Sequence, residues 1–408
     1  MEAYGRTSSV TWLPSLSFAK GMARVVVFVI ALLLLFQMGM SVGQTVACVA
    51  LCYLPWVLKL WWKPYVDRLM DYRFWILLTQ FLLMLTFVLM AFLLSERWAV
   101  VGLLWLAAWL AAVHNVAVDG FVRLHPLSLR HSVARELFRK LAVGVGQGVL
   151  VMLAGNLQVF YRNDLLYSWR CMIYLVAGLF LLLLFWHWGH TKVLAAPATP
   201  ESPEFPDTSV NPESPADTAR QNGSWLFLLL FPLTQALLTK VSVLFLIDTR
   251  HRGGLGLSPQ ELGFVLGTVG IIGLSVGGIL GQKAIRRFGF RRCLWPMALL
   301  MTLPALVYAL LSYWQPADLM VVAGSVLAEQ TAQGFAFSAY LTYLSRIANR
   351  EQGKSLMALS LLIGGLLSAL LQQLLGYNAF LVLVLCLSVL MMLSPLHNRN
   401  KMNVYKKH

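Results

Sequence analysis

The stretch LPWVLKLWWKPYVDRLMDYR, residues 54–73, decides the fold class. It begins as an apolar helix, carries Lys59 among apolar neighbours, and ends in a turn that contains Asp67, Arg68 and Arg73. A lone lysine in the core of a soluble protein is costly unless it has a partner. A membrane helix that faces a polar cavity and ends in a short charged loop accommodates the same pattern. The stretch therefore predicts one end of a transmembrane helix.

The composition extends this prediction to the whole chain. Of the 408 residues, 59% are hydrophobic and only 12% are charged, whereas a soluble domain carries about 25% charged residues. Apolar runs recur at the length of about 20 residues that a helix needs to cross the hydrocarbon layer. A transmembrane barrel would instead show alternating segments of about 10 residues. The sequence thus predicts an all-α membrane protein.

The apolar runs form two groups of six, which predicts twelve spans. The first six are 12–36, 44–66, 74–94, 98–120, 137–156 and 169–188, and the second six are 225–247, 262–284, 293–313, 319–343, 355–376 and 377–395. Residues 189–224 contain six prolines and too few apolar residues to fold. We therefore expect a bundle at 1–188, a disordered linker at 189–224, a second bundle at 225–395 and a basic tail at 396–408.

The positive charges indicate the orientation. With the N-terminus inside, the inner segments hold 23 lysines and arginines and the outer segments hold five. Such a bias is typical of cytoplasmic loops, so both termini are predicted to be cytoplasmic. The net charge of +15 is explained by this topology, and a nucleic-acid partner is not expected. The lipid bilayer is the expected surrounding.

Two basic turns occupy equivalent positions in the two halves. DRLMDYR at 67–73 follows the second span, and RRFGFRR at 286–292 follows the eighth. Two six-helix halves with these turns resemble the major facilitator superfamily, whose loop signature has an Asp-Arg pair and a glycine followed by bases. Gly289 fits that glycine, whereas Met70 replaces it in the first half. The resemblance implies a cytoplasmic gate, for which the candidates are Asp67, Arg68, Arg73, Arg286 and Arg287.

Longer segments resemble AmpG-type permeases, which carry anhydro-muropeptides inward across the bacterial inner membrane. The matching segments are LPWVLKLWWKPYVDR (54–68), NVAVDGF (115–121), residues 261–292 and residues 339–360. Siderophore importers and acetyl-CoA carriers are similar over the same segments. Residues 118–121 read Val-Asp-Gly-Phe where the muropeptide carriers tend to show Asp-Ala-Tyr-Arg. The resemblance implies a monomeric inner-membrane permease for a sugar-peptide or another small solute, with a siderophore or another bulky anion as the alternative cargo.

Polar residues within the spans are the candidates for a transport pathway. Ionisable side chains in a membrane are costly unless they face a cavity or a partner. In the resembled fold, helices 1, 4, 7 and 10 line the cavity, and all four carry polar residues here. The candidates, with Lys59 of the second span, are Lys20, Arg24, Lys59, Asn115, Asp119, Gln235, Lys240, Glu329 and Gln333.

The charges on these candidates suggest roles. Arg24 and Glu329 are expected at similar depth in opposite halves, where they bind an anionic solute or pair with each other. Lys20 lies one helical turn from Arg24 on the same face. It either acts together with Arg24 or extends its ammonium group to the cytoplasmic interface. Glu329 and Asp119 are the candidates for binding protons, which would make a proton gradient the energy source without any cofactor. Asp119 is equally well placed for gating.

Other chemistries find no support in the sequence. The five cysteines form neither a CxxC motif nor a Cys/His cluster, so no disulfide or metal site is expected. His114 and Asp119 have an acyltransferase-like spacing, but on a helix they point about 140° apart, and no enzyme is predicted. A non-transporting receptor or scaffold with the same fold is the alternative from a different class.

Glycines recur at four-residue intervals in two of the predicted spans. This spacing lets helices approach closely in membranes, so these residues are predicted to serve helix packing. They are Gly144, Gly148, Gly273, Gly277 and Gly281.

Overall fold

The computed structural model describes residues 12–124, 129–161, 164–191, 215–347 and 350–404. Within these ranges the regular structure is helical and contains no β-strand. The helices follow the chain in an order that matches the twelve predicted spans. The all-α membrane architecture expected from the sequence is therefore confirmed.

We number the spans α1 to α12. The first six are α1 (Leu13–Gln37), α2 (Val42–Val57 and Lys59–Leu69), α3 (Tyr72–Phe92), α4 (Arg97–Arg123), α5 (Leu129–Gly144, Val145–Leu150 and Val151–Phe160) and α6 (Leu165–His190). The next four are α7 (Pro215–Ile247), α8 (Pro259–Phe288), α9 (Phe290–Leu300 and Leu303–Trp314) and α10 (Leu319–Ile347). The last two, α11 and α12, form the continuous helix Arg350–Val404, which is interrupted at Gly376.

Length and hydropathy alone identify fewer spans than the architecture contains. Seven of the described helices are long and apolar enough to cross a membrane, and the two parts of α2 together make an eighth. One of the seven, Gly353–Leu390, contains parts of both α11 and α12. Gly376 separates them because its φ of 70° lies outside the helical region, and glycine adopts this conformation at little cost. The sequence places the same boundary at 376/377.

The second span is bent by 54°. Leu58 leaves helical geometry, with φ −78° and ψ 2°, and the helix restarts at Lys59. The indole Nε1 of Trp62 donates a hydrogen bond of 2.8 Å to the carbonyl of Pro55. The Pro55 carbonyl beside the break thereby gains a hydrogen-bond partner. Backbone polar groups in a membrane need such partners because the hydrocarbon layer offers none. Lys59, the first residue after the break, is buried.

Three spans contain a π-helical segment, which lies near the middle of α1 and α5 and near the start of α8. These segments are Val26–Ile30 in α1, Val145–Leu150 in α5 and Gly263–Gly270 in α8. The segments of α5 and α8 pack against each other across the two halves, and a methyl group on Gly148 would lie 3.0 Å from the Cα of Gly267. Only glycine permits backbones to approach this closely. The two halves are thus in direct backbone contact at this point.

The glycines of α8 bring it equally close to α10. A methyl group on Gly273 would lie 2.8 Å from the Leu327 carbonyl oxygen, and one on Gly281 would lie 2.7 Å from that of Phe335. Gly277, between them, faces the backbone of Thr331. The structure therefore places the glycines singled out in α8 along one helix–helix contact.

The predicted linker and tail lie partly outside the described residues. Residues 192–214 and 405–408 are not described. Helix α7 begins at Pro215, inside the segment expected to be a linker, and α12 continues to Val404, inside the expected tail. For 192–214 the disordered linker stays a prediction.

We predict that Gly277→Ala destabilises the protein, whereas Gly278→Ala does not. The first methyl group would collide with the Thr331 backbone, while the second meets only the Ser338 hydroxyl at 3.9 Å. Overpacking of this kind costs about 1–3 kcal/mol. Thermal unfolding of the two purified variants in detergent measures the difference. Equal midpoints would contradict the packing role of Gly277.

Candidate functional site

Several of the charged candidates lie where the two halves meet. Helix α2 packs along α11, so that a methyl group on Gly43 would lie 2.9 Å from the Ala369 carbonyl and one on Gly365 would lie 2.6 Å from the Ala50 Cβ. Helices α5 and α8 form the second close contact. Polar side chains of α1, α2, α4, α7 and α11 lie at or beside these contacts.

Near the middle of the spans, a lysine of one half meets an aromatic cluster of the other. Lys240 of α7 is only 4% exposed, and its ammonium lies 4.7 Å from the centre of the Tyr53 ring on α2. Phe28 of α1 stacks on Tyr53 at 4.1 Å, and Trp56 lies 5.4 Å from Phe28. Arg24 extends the cluster, with its guanidinium 5.9 Å from the Phe28 ring. We call these five residues the central cluster.

The positive charges of the central cluster have no acidic partner in the part of the chain that the structure describes. Among the described side chains, no carboxylate lies within 4.0 Å of Lys240 or Arg24. A cation over an aromatic ring gains about 2 kcal/mol when desolvated, which is less than the cost of burying an unpaired charge. The indole Nε1 of Trp56 is also buried and has no hydrogen-bond partner among the described residues. The cluster therefore has donors and positive charge to offer an anion.

A second set of charges lies nearer the basic end of the bundle, which we define as the end that holds residues 68–73 and 286–292. Lys20 of α1 forms an ion pair of 2.6 Å with Asp119 of α4. Lys354 of α11 approaches the other carboxylate oxygen at 4.0 Å. The charge of the buried Lys59 also acts on Asp119. We call these four residues the Asp119 cluster.

Lys354 is the functional candidate that the sequence analysis missed. It lies one residue before the predicted eleventh span. There it was counted among the positive charges of a cytoplasmic loop and was not considered as a pathway residue. The aromatic residues Phe28 and Tyr53 were missed for a different reason, because apolar rings in a membrane helix are indistinguishable from packing residues until their neighbours are known.

Glu329 lies within the second half. It is buried, and its carboxylate accepts a hydrogen bond of 2.9 Å from the Gln330 amide. Nearby, Gln333 donates to Gln235 at 3.0 Å and thereby links α10 to α7. The expected pairing of Arg24 with Glu329 does not occur among the described contacts. The other expected role, in which both act on the solute, is not tested by the contacts.

The predicted gate residues have local partners. Asp67 accepts a hydrogen bond from the Tyr72 hydroxyl at 2.9 Å, and Arg73 donates to the Thr191 hydroxyl at 3.0 Å. Arg287 lies over the ring of the adjacent Phe288. Arg68 and Arg286 occupy the last turns of α2 and α8. Their role as a gate stays a prediction.

A buried histidine network fixes the first half near these charges. His114 contacts the Thr79 hydroxyl at 3.0 Å, and His187 bridges Gln80 and Ser15 at 2.9 Å each. The adjacent Asn115 has a buried amide oxygen that finds no hydrogen-bond partner within the described ranges. These contacts tie α1, α3, α4 and α6 into one unit, which supports the pathway residues on α1 and α4.

The arrangement of two helical halves around a charged interface has a match among known proteins. The sequence pattern of the Major Facilitator Superfamily matches residues 15–371. The chain belongs to the Major Facilitator Superfamily. The curated relatives that it matches are permeases, and membership of this family indicates a transporter and not an enzyme.

One curated relative is the anhydromuropeptide permease of Escherichia coli (strain K12). It is 25% identical over 331 residues, which cover 78% of this chain and 63% of the relative. The chain thus matches less than two thirds of that permease's length.

Solved structures confirm the fold. A POT family transporter in complex with a thioalcohol-conjugated peptide has a TM-score of 0.71 at 13% identity, covering 96% of each chain. The nucleoside transporter NupG has a TM-score of 0.70 at 11% identity, covering 95% of this chain and 98% of its own.

We predict opposite effects on stability for two lysine variants. Lys240→Met removes a buried charge that has no acidic partner among the described residues, so the midpoint of thermal unfolding should stay unchanged or rise. Lys20→Met removes the closest partner of Asp119, so the protein should lose about 1–3 kcal/mol of stability. Thermal unfolding of both purified variants measures this. A greater loss for Lys240→Met would contradict the assignment.

Proposed function

We propose that this protein is a secondary active transporter that carries anionic cell-wall muropeptides into the bacterial cytoplasm. The observation that carries the proposal is the central cluster, in which Lys240 and Arg24 lie beside stacked aromatic rings without an acidic partner within the described residues. The similarity to the anhydromuropeptide permease supports the same cargo. The protein would be a multi-pass inner-membrane monomer.

The chemistry of a muropeptide suits this cluster. Its peptide carboxylates would bind Lys240 and Arg24, because charge-assisted hydrogen bonds to a carboxylate are the strong ones in a dry site. Its sugar rings would stack on the face of Trp56. The unpartnered indole N–H of Trp56 would donate to a hydroxyl or carbonyl oxygen of the cargo. A muropeptide contains both carboxylates and sugar rings, and this combination distinguishes it from a simple inorganic anion.

The position of the cluster suits alternating access. It lies between the halves and near the middle of the spans, where transporters of this architecture bind their substrates. Rocking of one half against the other about the glycine contacts of α2 with α11 and α5 with α8 would expose the cluster to each side in turn. The basic end would face the cytoplasm together with both termini. Asp67, Arg68, Arg73, Arg286 and Arg287 would gate that end.

The same cations would also accept another bulky anion. A ferric siderophore or an acetyl-CoA-like solute presents carboxylates or phosphates of matching charge, and a receptor that binds without transporting would use the same contacts. Uptake into proteoliposomes of labelled anhydro-muropeptide, ferric siderophore and acetyl-CoA under a proton gradient distinguishes these functions. We expect uptake of the muropeptide.

In this assay we predict that Lys240→Met reduces muropeptide uptake by about tenfold or more, because loss of a buried charge contact costs ~2 kcal/mol or more. The matched control is Lys283→Met, which removes an exposed lysine outside the interface and should transport normally. Uptake of the siderophore or of acetyl-CoA instead of the muropeptide would identify that solute as the cargo. Binding without uptake would indicate a receptor.

Glu329 would couple transport to protons. Glu329 is buried, and its described partner is a neutral amide and not a cation. A carboxyl group in such surroundings can bind and release a proton. We predict that Glu329→Gln abolishes accumulation driven by a proton gradient while preserving exchange of labelled for unlabelled solute. Exchange is the internal control, since it needs a folded, cycling transporter but no net proton movement. Unchanged proton-driven accumulation would remove Glu329 from the mechanism.

A further inference from the structure

We propose that Tyr53 is a positioning residue that holds the Lys240 ammonium in the ligand-free protein and competes for it with the anionic solute. The inference rests on the proposed function in one respect, namely that the solute is an anion bound by Lys240. It goes beyond that function because it assigns a role to an aromatic side chain that does not itself contact the solute. The strength of one contact between a ring and a cation would then set the affinity for the anion.

Both faces of the Tyr53 ring are covered. Phe28 stacks on it with 4.1 Å between the ring centres and 21° between the ring planes. The Lys240 ammonium lies over the same ring, 4.7 Å from its centre. Since a stacked ring at that distance leaves no space for an ammonium on its side, Lys240 occupies the opposite face. A sugar ring therefore cannot stack on Tyr53 while Lys240 is in place.

The ammonium of Lys240 is enclosed where α2 packs against α11. A methyl group on Gly365 would lie 3.5 Å from the Lys240 Nζ and 2.6 Å from the Ala50 Cβ. Lys240 comes from α7 of the second half, whereas Tyr53 and Ala50 belong to α2 of the first half. A carboxylate of a bulky solute does not fit into this enclosure, so the lysine has to swing out toward the solute. Its flexible four-carbon stem permits this movement.

The contact with Tyr53 has a strength that suits a reversible hold. No carboxylate of the described side chains lies within 4.0 Å of Lys240, and the negative face of the ring offsets part of the cost of burying the charge. Such a contact, when desolvated, changes an equilibrium about 30-fold. A charge-assisted hydrogen bond to a carboxylate is stronger. An anionic solute can therefore take the ammonium from the ring, whereas a neutral solute cannot.

The second cation of the central cluster is placed differently. The Arg24 guanidinium lies 5.9 Å from the centre of the Phe28 ring, and its charge acts on the Tyr53 hydroxyl. Lys240 instead lies over the Tyr53 ring itself. A change that is limited to the electron density of the Tyr53 ring face therefore acts on Lys240 and leaves the Arg24 contact with Phe28 in place.

The test replaces Tyr53 by phenylalanine and by phenylalanines that carry one, two or three ring fluorine atoms. Fluorine withdraws electron density from the ring face and weakens its attraction for a cation stepwise, while the shape of the side chain changes little. Isothermal titration calorimetry measures the affinities of the purified variants for anhydro-muropeptide, ferric siderophore and acetyl-CoA. We expect Tyr53→Phe to bind the anion within about threefold of the wild type, and the trifluorinated ring to bind it about tenfold more tightly.

Two controls assign the effect to the contact between Tyr53 and Lys240. In a Lys240→Met background, the fluorine series should leave the remaining affinity unchanged, because no ammonium has to be released from the ring. The same series at Phe87, which packs against Phe180 with 5.5 Å between ring centres, should leave the affinity unchanged in the otherwise native protein. A direct attraction between the fluorinated ring and the anion would instead persist without Lys240.

A measurement without solute tests the hold itself. The fluorine series at position 53 should lower the midpoint of thermal unfolding when Lys240 is present, and it should have less effect in the Lys240→Met background, because the two side chains are coupled. Equal shifts in both backgrounds would show that the ring does not hold the lysine and would overturn the proposal.

Two binding results would also overturn the proposal: an affinity that stays constant or falls along the fluorine series, or a rise that persists in Lys240→Met. Either result leaves the proposed function intact, since the anion still binds. If none of the three solutes binds to the wild type, the proposed function fails together with the competition for Lys240. The unfolding measurement then still decides whether Tyr53 holds the lysine, so the two failures are distinguishable.

Discussion

A positive charge buried in a membrane protein needs a partner, and this constraint organises the interface between the two halves. Five cations gather there, and the structure satisfies them in two ways. In the Asp119 cluster, Lys20 and Lys354 contact one carboxylate, on which the charge of Lys59 also acts. In the central cluster, aromatic rings take the place of acids. The first arrangement contains a carboxylate, whereas the second has no acidic partner among the described residues and leaves positive charge for an anion to neutralise.

This charged interface depends on small residues that let the halves approach. Gly148 and Gly267 bring the backbones of α5 and α8 into contact, and Gly43 and Gly365 do the same for α2 and α11. Gly365 has a further consequence, since a methyl group there would lie 3.5 Å from the Lys240 ammonium. The absence of a side chain thus leaves room for the lysine beside the backbone of α11. Packing and charge placement are therefore coupled at this position.

Several spans that form the interface between the halves have irregular helix geometry. Helix α2 breaks at Leu58, between the aromatic residues of the central cluster and Lys59 of the Asp119 cluster. The π-helical segments of α1, α5 and α8 widen the helix near the interface, and such segments are frequent at functional sites. Broken and widened helices are tolerated in a membrane where the freed backbone groups find other partners. Here Trp62 supplies one of them.

The sequence alone determined the membrane class, the order of twelve spans and the candidates Lys20, Asp119 and Lys240, because hydropathy and the cost of a charge in lipid act on each helix separately. It did not determine which candidates meet. Arg24 lies with Phe28 instead of Glu329, and Asp119 contacts Lys354, a residue outside the predicted spans. Such contacts join helices far apart in the chain, and no local pattern specifies how those helices pack. Only the tertiary structure decided them, since the distance between two charges is set by how the two halves come together.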